Sequence, residues 1–223
     1  MAQATTSANA EATRLASRGR PGFDAVAAGC MGQARRAFLL CRRCADPRIP
    51  RSWHPPVDLV SRLISKVGWT GHRPDIFLDP ETAKRAVYVV ASELAASGTE
   101  RFLVGGQRGV DIWAAEAAIM YAVPVFVLLP CSVHEFTESW SEADRSLLLQ
   151  ILEQAAEVRV LAGYSARNHA LAEQPELLVA VWTGIAGGGT AETIAFAQAA
   201  GTPIREILLD PSPTATKASG RGI

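Results

Sequence analysis

The chain has 223 residues, and its 22 Lys and Arg are balanced by 22 Asp and Glu, leaving no net charge. That balance excludes the strongly basic footprint of a dedicated nucleic-acid binder. A hydrophobic fraction of 48% supports a sizeable core, yet no run approaches the roughly 20 apolar residues that cross a bilayer.

Residues 1–60 read as an irregular extension, poorly ordered or partly helical. They open on MAQATTSANAEATRLASRGRPG, rich in Ala, Ser, Thr and Arg and nearly free of acids, and Pro47, Pro50, Pro55 and Pro56 interrupt any regular element before the domain. One short helix is expected around residues 33–42. The Arg-rich bias is like that of a transit peptide and FDAVAAGC is like a lipoprotein cleavage site, but no continuous apolar stretch precedes Cys30, so neither reading stands. Cys41 and Cys44 form CRRC. A structural zinc would need a second short-spaced pair, which Cys30 and His54 do not supply. No metal is therefore expected. Free thiols, including Cys131, fit a reducing, cytoplasmic compartment.

From Val67 the pattern becomes regular. KVGWTG reads as a strand, ETAKRAVYVVASELAASG as a helix closed by Gly98, and RFLVGG as a second strand. DIWAAEAAIMYA is helical, and VPVFVLLP is the continuous apolar strand of a sheet buried on both faces. Then follow a helix SWSEADRSLLLQILEQA, a strand EVRVLAG, a short helix ARNHALAEQ, a strand ELLVAVWTG, a helix TAETIAFAQAAG and a last strand TPIREILL. Strand and helix alternate about six times. This predicts an α/β, Rossmann-like three-layer sandwich with a mostly parallel sheet over residues 61–210, with residues 211–223 as a flexible tail.

In such sheets ligands bind beyond the carboxyl ends of the strands. Four loops there are rich in glycine or arginine: TGHRP, GGQRGVD, AGYSARN and TGIAGGGTAE. They nominate Gly71 and Arg73; Gly105, Gly106, Gly109 and Asp111; Arg167 and Asn168; and Gly187, Gly188, Gly189, Thr190 and Glu192. A Gly-rich turn feeding a helix lets a ligand approach the main chain and directs the first-turn N–H groups at an anion. GGGTAE fits this best, although it is neither a Walker loop nor a GxGxxG turn. Structural alternatives stand beside each nomination. The glycines could only tighten turns, Thr190 could only cap a helix, Asp111 could only complement a dipole, and the arginines could be solvated.

The segments VGGQRGVDIWAAEAA, YSARNHAL and VAVWTGIAGGGTAETIAFAQAAGTPI resemble, in order and spacing, the motifs of the SLOG superfamily over roughly residues 66–208. That superfamily includes the DNA-processing protein A Rossmann domain, lysine-decarboxylase-like phosphoribohydrolases and molybdenum-cofactor carrier proteins. The GxRGxD pattern is similar to the DNA-processing branch and GGGTAE to the other two. The resemblance implies a nucleotide or nucleotide-derived ligand, with phosphate on the GGGT turn, no separate cofactor, and a homodimer. In the phosphoribohydrolases the loop reads PGGxGTxxE, and an upstream Arg, matched here by Arg167, works with its Glu. This chain departs from that pattern: no Pro precedes the glycines, and Glu192 falls one position early. On a helix one position rotates a side chain by about 100°.

Three functions are therefore weighed. The first is binding of a nucleotide-derived small molecule, with Arg73 and Arg167 on phosphate and Asp111 or Glu192 on a ribose hydroxyl. The second is hydrolysis of the N-glycosidic bond of a nucleoside 5'-monophosphate, with Glu192 and Arg167 catalytic and Asp111 the other candidate acid or base. The third is single-stranded DNA binding, which needs a basic groove with stacking aromatics; the neutral charge and the strand-borne Trp69, Trp113 and Trp182 count against it.

Overall fold

A computed structural model of the chain describes residues 64–215. The expected extension over residues 1–60, with its short helix, Cys30, the CxxC cysteines and His54, lies outside the described residues, as does the tail from residue 216.

The described residues form one six-stranded sheet: β1 (Lys66–Gly71), β2 (Arg101–Val104), β3 (Val125–Leu129), β4 (Glu157–Val160), β5 (Leu177–Trp182) and β6 (Ile204–Leu208). The helices are α1 (Pro80–Ala96), α2 (Val110–Met120), α3 (Val133–Phe136), α4 (Glu142–Gln154), α5 (Tyr164–Glu173) and α6 (Gly188–Ala200). Strand order is β4-β3-β2-β1-β5-β6, and every neighbouring pair is parallel. The expected Rossmann-like layering is present.

Side chains alternate across the strands and divide the core in two. Val67, Trp69, Phe102, Val104, Val125, Val127, Leu129, Val179 and Val181 join the large cluster that also holds the inner faces of α1, α2 and α4. Leu103 and Leu128 turn the other way, onto Leu171 of α5, and Leu178 packs with Ala172 and Ala197 of α5 and α6. Small residues let helices sit close. Ala114, Ala115, Ala117 and Ala118 of α2 are all fully buried, so this helix is apolar nearly all round and lies between the sheet and its neighbours.

Helix starts follow local chemistry. Asp79 accepts from the Glu81 and Thr82 amides ahead of Pro80 at the first helical position. Ser141 accepts from the Asp144 amide, so α4 begins three residues inside the stretch predicted to be helical. The short α3, with Ser132 as its cap, has no counterpart among the predicted elements. The segment expected to be a free tail from residue 211 starts out held. Pro211 bridges to Phe77, and Ser212 donates its amide to Ile76 O at 2.8 Å and its hydroxyl to Asp75 O at 2.9 Å. Among the described residues no helix is long and apolar enough to cross a membrane.

Trp69 sits at the centre of β1 with no exposure, its ring 5.3 Å from that of Phe102. Trp69→Ala is expected to lower unfolding free energy by about 3–5 kcal/mol, read by urea denaturation. A loss below about 1 kcal/mol would place this indole outside the core.

Candidate functional site

The strand order changes direction between β1 and β5. From β1 the chain winds outward through β2, β3 and β4, then returns to the other side of β1 as β5. The loops leaving these two strands diverge, and a crevice opens at their carboxyl ends, as the doubly wound topology requires. It encloses about 540 Å³ and is lined by Gly71, His72 and Arg73 after β1, by Asp111, Arg167 and Asn168, and by Ile185 to Thr190 after β5.

The back wall is a buried ion pair. Arg167 Nη1 lies 3.4 Å from Asp111 Oδ2, with both side chains less than a tenth exposed. The same carboxylate oxygen accepts the Gln107 amide at 3.1 Å. Gly105 makes this possible, because a Cβ there would overlap the Arg167 guanidinium and crowd the Asp111 carboxylate. Burial pushes the Asp111 carboxyl up to about 6, against the opposing pull of Arg167 and of the Gln107 and Gly105 amides.

The front rim is the turn Gly187–Gly189. Gly187 and Gly188 have φ of 97° and 75°, left-handed values that glycine adopts without strain. No side chain caps the α6 N-terminus, so its first-turn amides face outward with the positive end of the dipole. Thr190 is buried and lines the crevice just behind. Arg73 extends from the opposite rim, half-exposed and 3.9 Å from Asp75.

Of the residues nominated from sequence, Gly71, Arg73, Asp111, Arg167, Asn168, Gly187, Gly188, Gly189 and Thr190 meet at this crevice. Gly105, Gly106 and Gly109 are not among its lining residues. They act behind the wall, where Gly105 admits the ion pair and Gly106 and Gly109 take left-handed φ in the turn into α2. Glu192 is turned aside. It accepts from Asn168 Nδ2 at 2.7 Å and from Ser165 Oγ at 3.2 Å, and it lines a shallower adjoining recess with Tyr164, Asn168 and the glycine turn. Arg108 is also directed away, 3.4 Å from Asp144 and over the Trp140 ring in a separate small cavity.

The sequence reading passed over His72, Gln107, Tyr164 and Ala215, all of which line the crevice. His72 and Tyr164 stand inside the quoted loops TGHRP and AGYSARN, so their position after a strand was the available signal. The His72 ring lies between Phe77 and Trp182, and its buried Nε2 has no hydrogen-bond partner. Burial, and then the Arg73 charge, lower its pKa, so the imidazole is neutral at pH 7. Among the described residues no cluster of three His, Cys, Asp or Glu side chains is placed to hold a metal ion.

This sheet and crevice define a Rossmann-like α/β protein whose open site lies at the switch point. In the order and spacing of its motifs the sequence resembles the SLOG superfamily. No family model matches it. UPF0398 protein BH1768 of Halalkalibacterium halodurans is 32% identical over 103 residues, covering 42% of this chain and 53% of that protein. The chain thus spans about half the length of the curated relative it matches. Among solved structures it is similar to DNA processing protein A from Streptococcus pneumoniae, with a TM-score of 0.49, 18% identity and coverage of 64% of this chain and 50% of that one. It is also similar to the Moco Carrier Protein from Chlamydomonas reinhardtii, with a TM-score of 0.47, 25% identity and coverage of 70% and 82%.

Because the Asp111 pKa is raised on folding, its contribution to stability is fully present below the ordinary value of 3.8 and is lost as pH rises through about 6. Asp111→Asn cannot titrate. The unfolding free energy of the wild type minus that of the variant is expected to fall by up to about 3 kcal/mol between about pH 3 and pH 7, measured by denaturation at a series of pH values. A difference that grows with pH would mean that Arg167 outweighs burial.

Proposed function

We propose that this chain binds a nucleotide or nucleotide-derived small molecule in the crevice, with a phosphate group on Gly187–Thr190. The observation that carries this reading is the convergence at the switch point of an uncapped helix terminus behind a glycine turn with the cations Arg73 and Arg167. Exposed main-chain amides and a helix dipole stabilise an anion without a bulky side chain, and arginine adds a planar fork suited to phosphate. A volume of about 540 Å³ is that of a small-molecule site rather than a groove for a strand. Trp69 and Trp113 are buried in the core, which removes them as base platforms for single-stranded DNA.

Hydrolysis of an N-glycosidic bond is the second reading, and one observation favours it. Asp111 lines the crevice with a pKa near the range where a carboxyl can exchange protons at neutral pH. Glu192, the residue that the phosphoribohydrolase resemblance nominates, is held by Asn168 and Ser165 in the adjoining recess. Of the two candidate carboxylates, the second reading therefore favours Asp111 over Glu192 for the acid–base role.

The binding reading is tested by thermal shift with AMP, ADP, GMP and inorganic phosphate. A stabilisation by at least one nucleotide is expected, with Gly188→Val, which places a β-branched side chain at φ of 75°, abolishing it. No shift with any of the four ligands would refute the reading. Chromatography of the same AMP and GMP mixtures separates the two functions. Intact nucleotide is expected, whereas free base that persists in Glu192→Ala and vanishes in Asp111→Asn would establish hydrolysis through Asp111.

A further inference from the structure

Resting on the nucleotide reading above, we propose that Tyr164 is the stacking platform for a planar heteroaromatic ring, so that the site selects a nucleoside phosphate over a bare sugar phosphate. Tyr164 opens α5 directly after Gly163. Its neighbour Phe136 is 4% exposed, but Tyr164 is 52% exposed. Among the described residues the other exposed large apolar side chains, Leu78, Val89, Met120, Tyr121 and Leu208, do not line the crevice. Tyr164 lines both the crevice and the adjoining recess, which share the Gly187–Gly189 turn. A ligand anchored by its anion on that turn therefore has its remaining atoms within the same walls as the phenol ring.

The ring has a cationic and an aromatic neighbour. The Arg167 guanidinium carbon lies 5.8 Å from its centroid, and the Phe136 ring 6.3 Å away. Arg167 is itself paired with Asp111, so the cation beside the ring is positioned from the core. A cation under one face withdraws electron density and strengthens stacking of an electron-rich heterocycle on the other. Burial and the nearby Cys131 keep the phenol above its ordinary value of 10, outweighing Arg167. The hydroxyl therefore carries no charge to repel a phosphate at neutral pH.

The test is calorimetric titration of the full chain with AMP, ribose 5-phosphate and inorganic phosphate, for wild type, Tyr164→Ala, Tyr164→Leu and Tyr164→Phe. The side chain is half-exposed, so all three variants should keep the wild-type melting temperature without ligand; Tyr164→Leu serves if Tyr164→Ala does not. Wild type and Tyr164→Phe are expected to prefer AMP to ribose 5-phosphate by about ten-fold or more. Tyr164→Ala and Tyr164→Leu should lose that preference while holding ribose 5-phosphate within about two-fold of wild type. A wild type that binds both phosphates equally, or an alanine variant that keeps the preference, overturns the stacking proposal and leaves phosphate binding intact. Failure of the wild type to bind any of the three overturns the phosphate reading and the stacking proposal together.

Discussion

A buried anion and a buried cation face each other at the back of the crevice, and the surrounding structure is arranged around that contact. Asp111 belongs to the first turn of α2 and Arg167 to α5, on the opposite face of the sheet. Their ion pair joins the two faces across the carboxyl ends of the strands. Each charge is the other's partner there, and an unpaired charge in a dry interior costs several kcal/mol. The absence of a side chain at Gly105 is the condition for their approach. Arg167 also lies over the ring of Tyr164, which lines the crevice. One electrostatic contact thus links the tight turn after β2, the seating of two helices and the shape of the ligand-facing wall.

The glycines of the two conspicuous turns have different physical tasks. In the turn after β2 they make room for neighbouring groups. A Cβ at Gly105 would strike side chains, and one at Gly106 would lie 2.9 Å from Leu129. In the turn after β5 nothing lies within 4 Å of a Cβ at Gly187 or Gly188. There the requirement is conformational, and open space is what remains in front of the amides. Glycine content alone does not distinguish packing from access, which is why GGQRGVD and GGGTAE look alike as text.

The strands and major helices were legible because their signals are local. The short apolar run in RFLV, the unbroken apolar run VFVLL and the helical spacing of ETAKRAVYVVASELAASG each carry their own explanation. Most of the crevice was legible too, because parallel topology sends every strand's carboxyl end to one edge, so loops far apart in sequence could be grouped in advance. Direction was not legible. Glu192 sits where expected along the chain, yet it meets a partner on a different element, Asn168 of α5. The same holds for Pro211 and Ser212, whose polar composition suggested a tail until the turn at Pro74–Ile76 offered two carbonyls for Ser212 to satisfy.

The pairing of β1 with β5 has a kinetic consequence. Val67 meets Leu177 and Gly71 meets Val181, partners separated by more than a hundred residues, and Ser65 and Glu176 clasp the start of the same seam. Bringing such distant segments together carries a large loop-closure entropy, and contacts of this kind slow folding. The two rims of the crevice, one following each strand, take up their final spacing only when that seam has zipped. No partly folded form ending before β5 holds both rims, so the site is incomplete until this long-range pairing has formed. A ligand that spans both rims is therefore coupled to the most non-local step in the assembly of the chain.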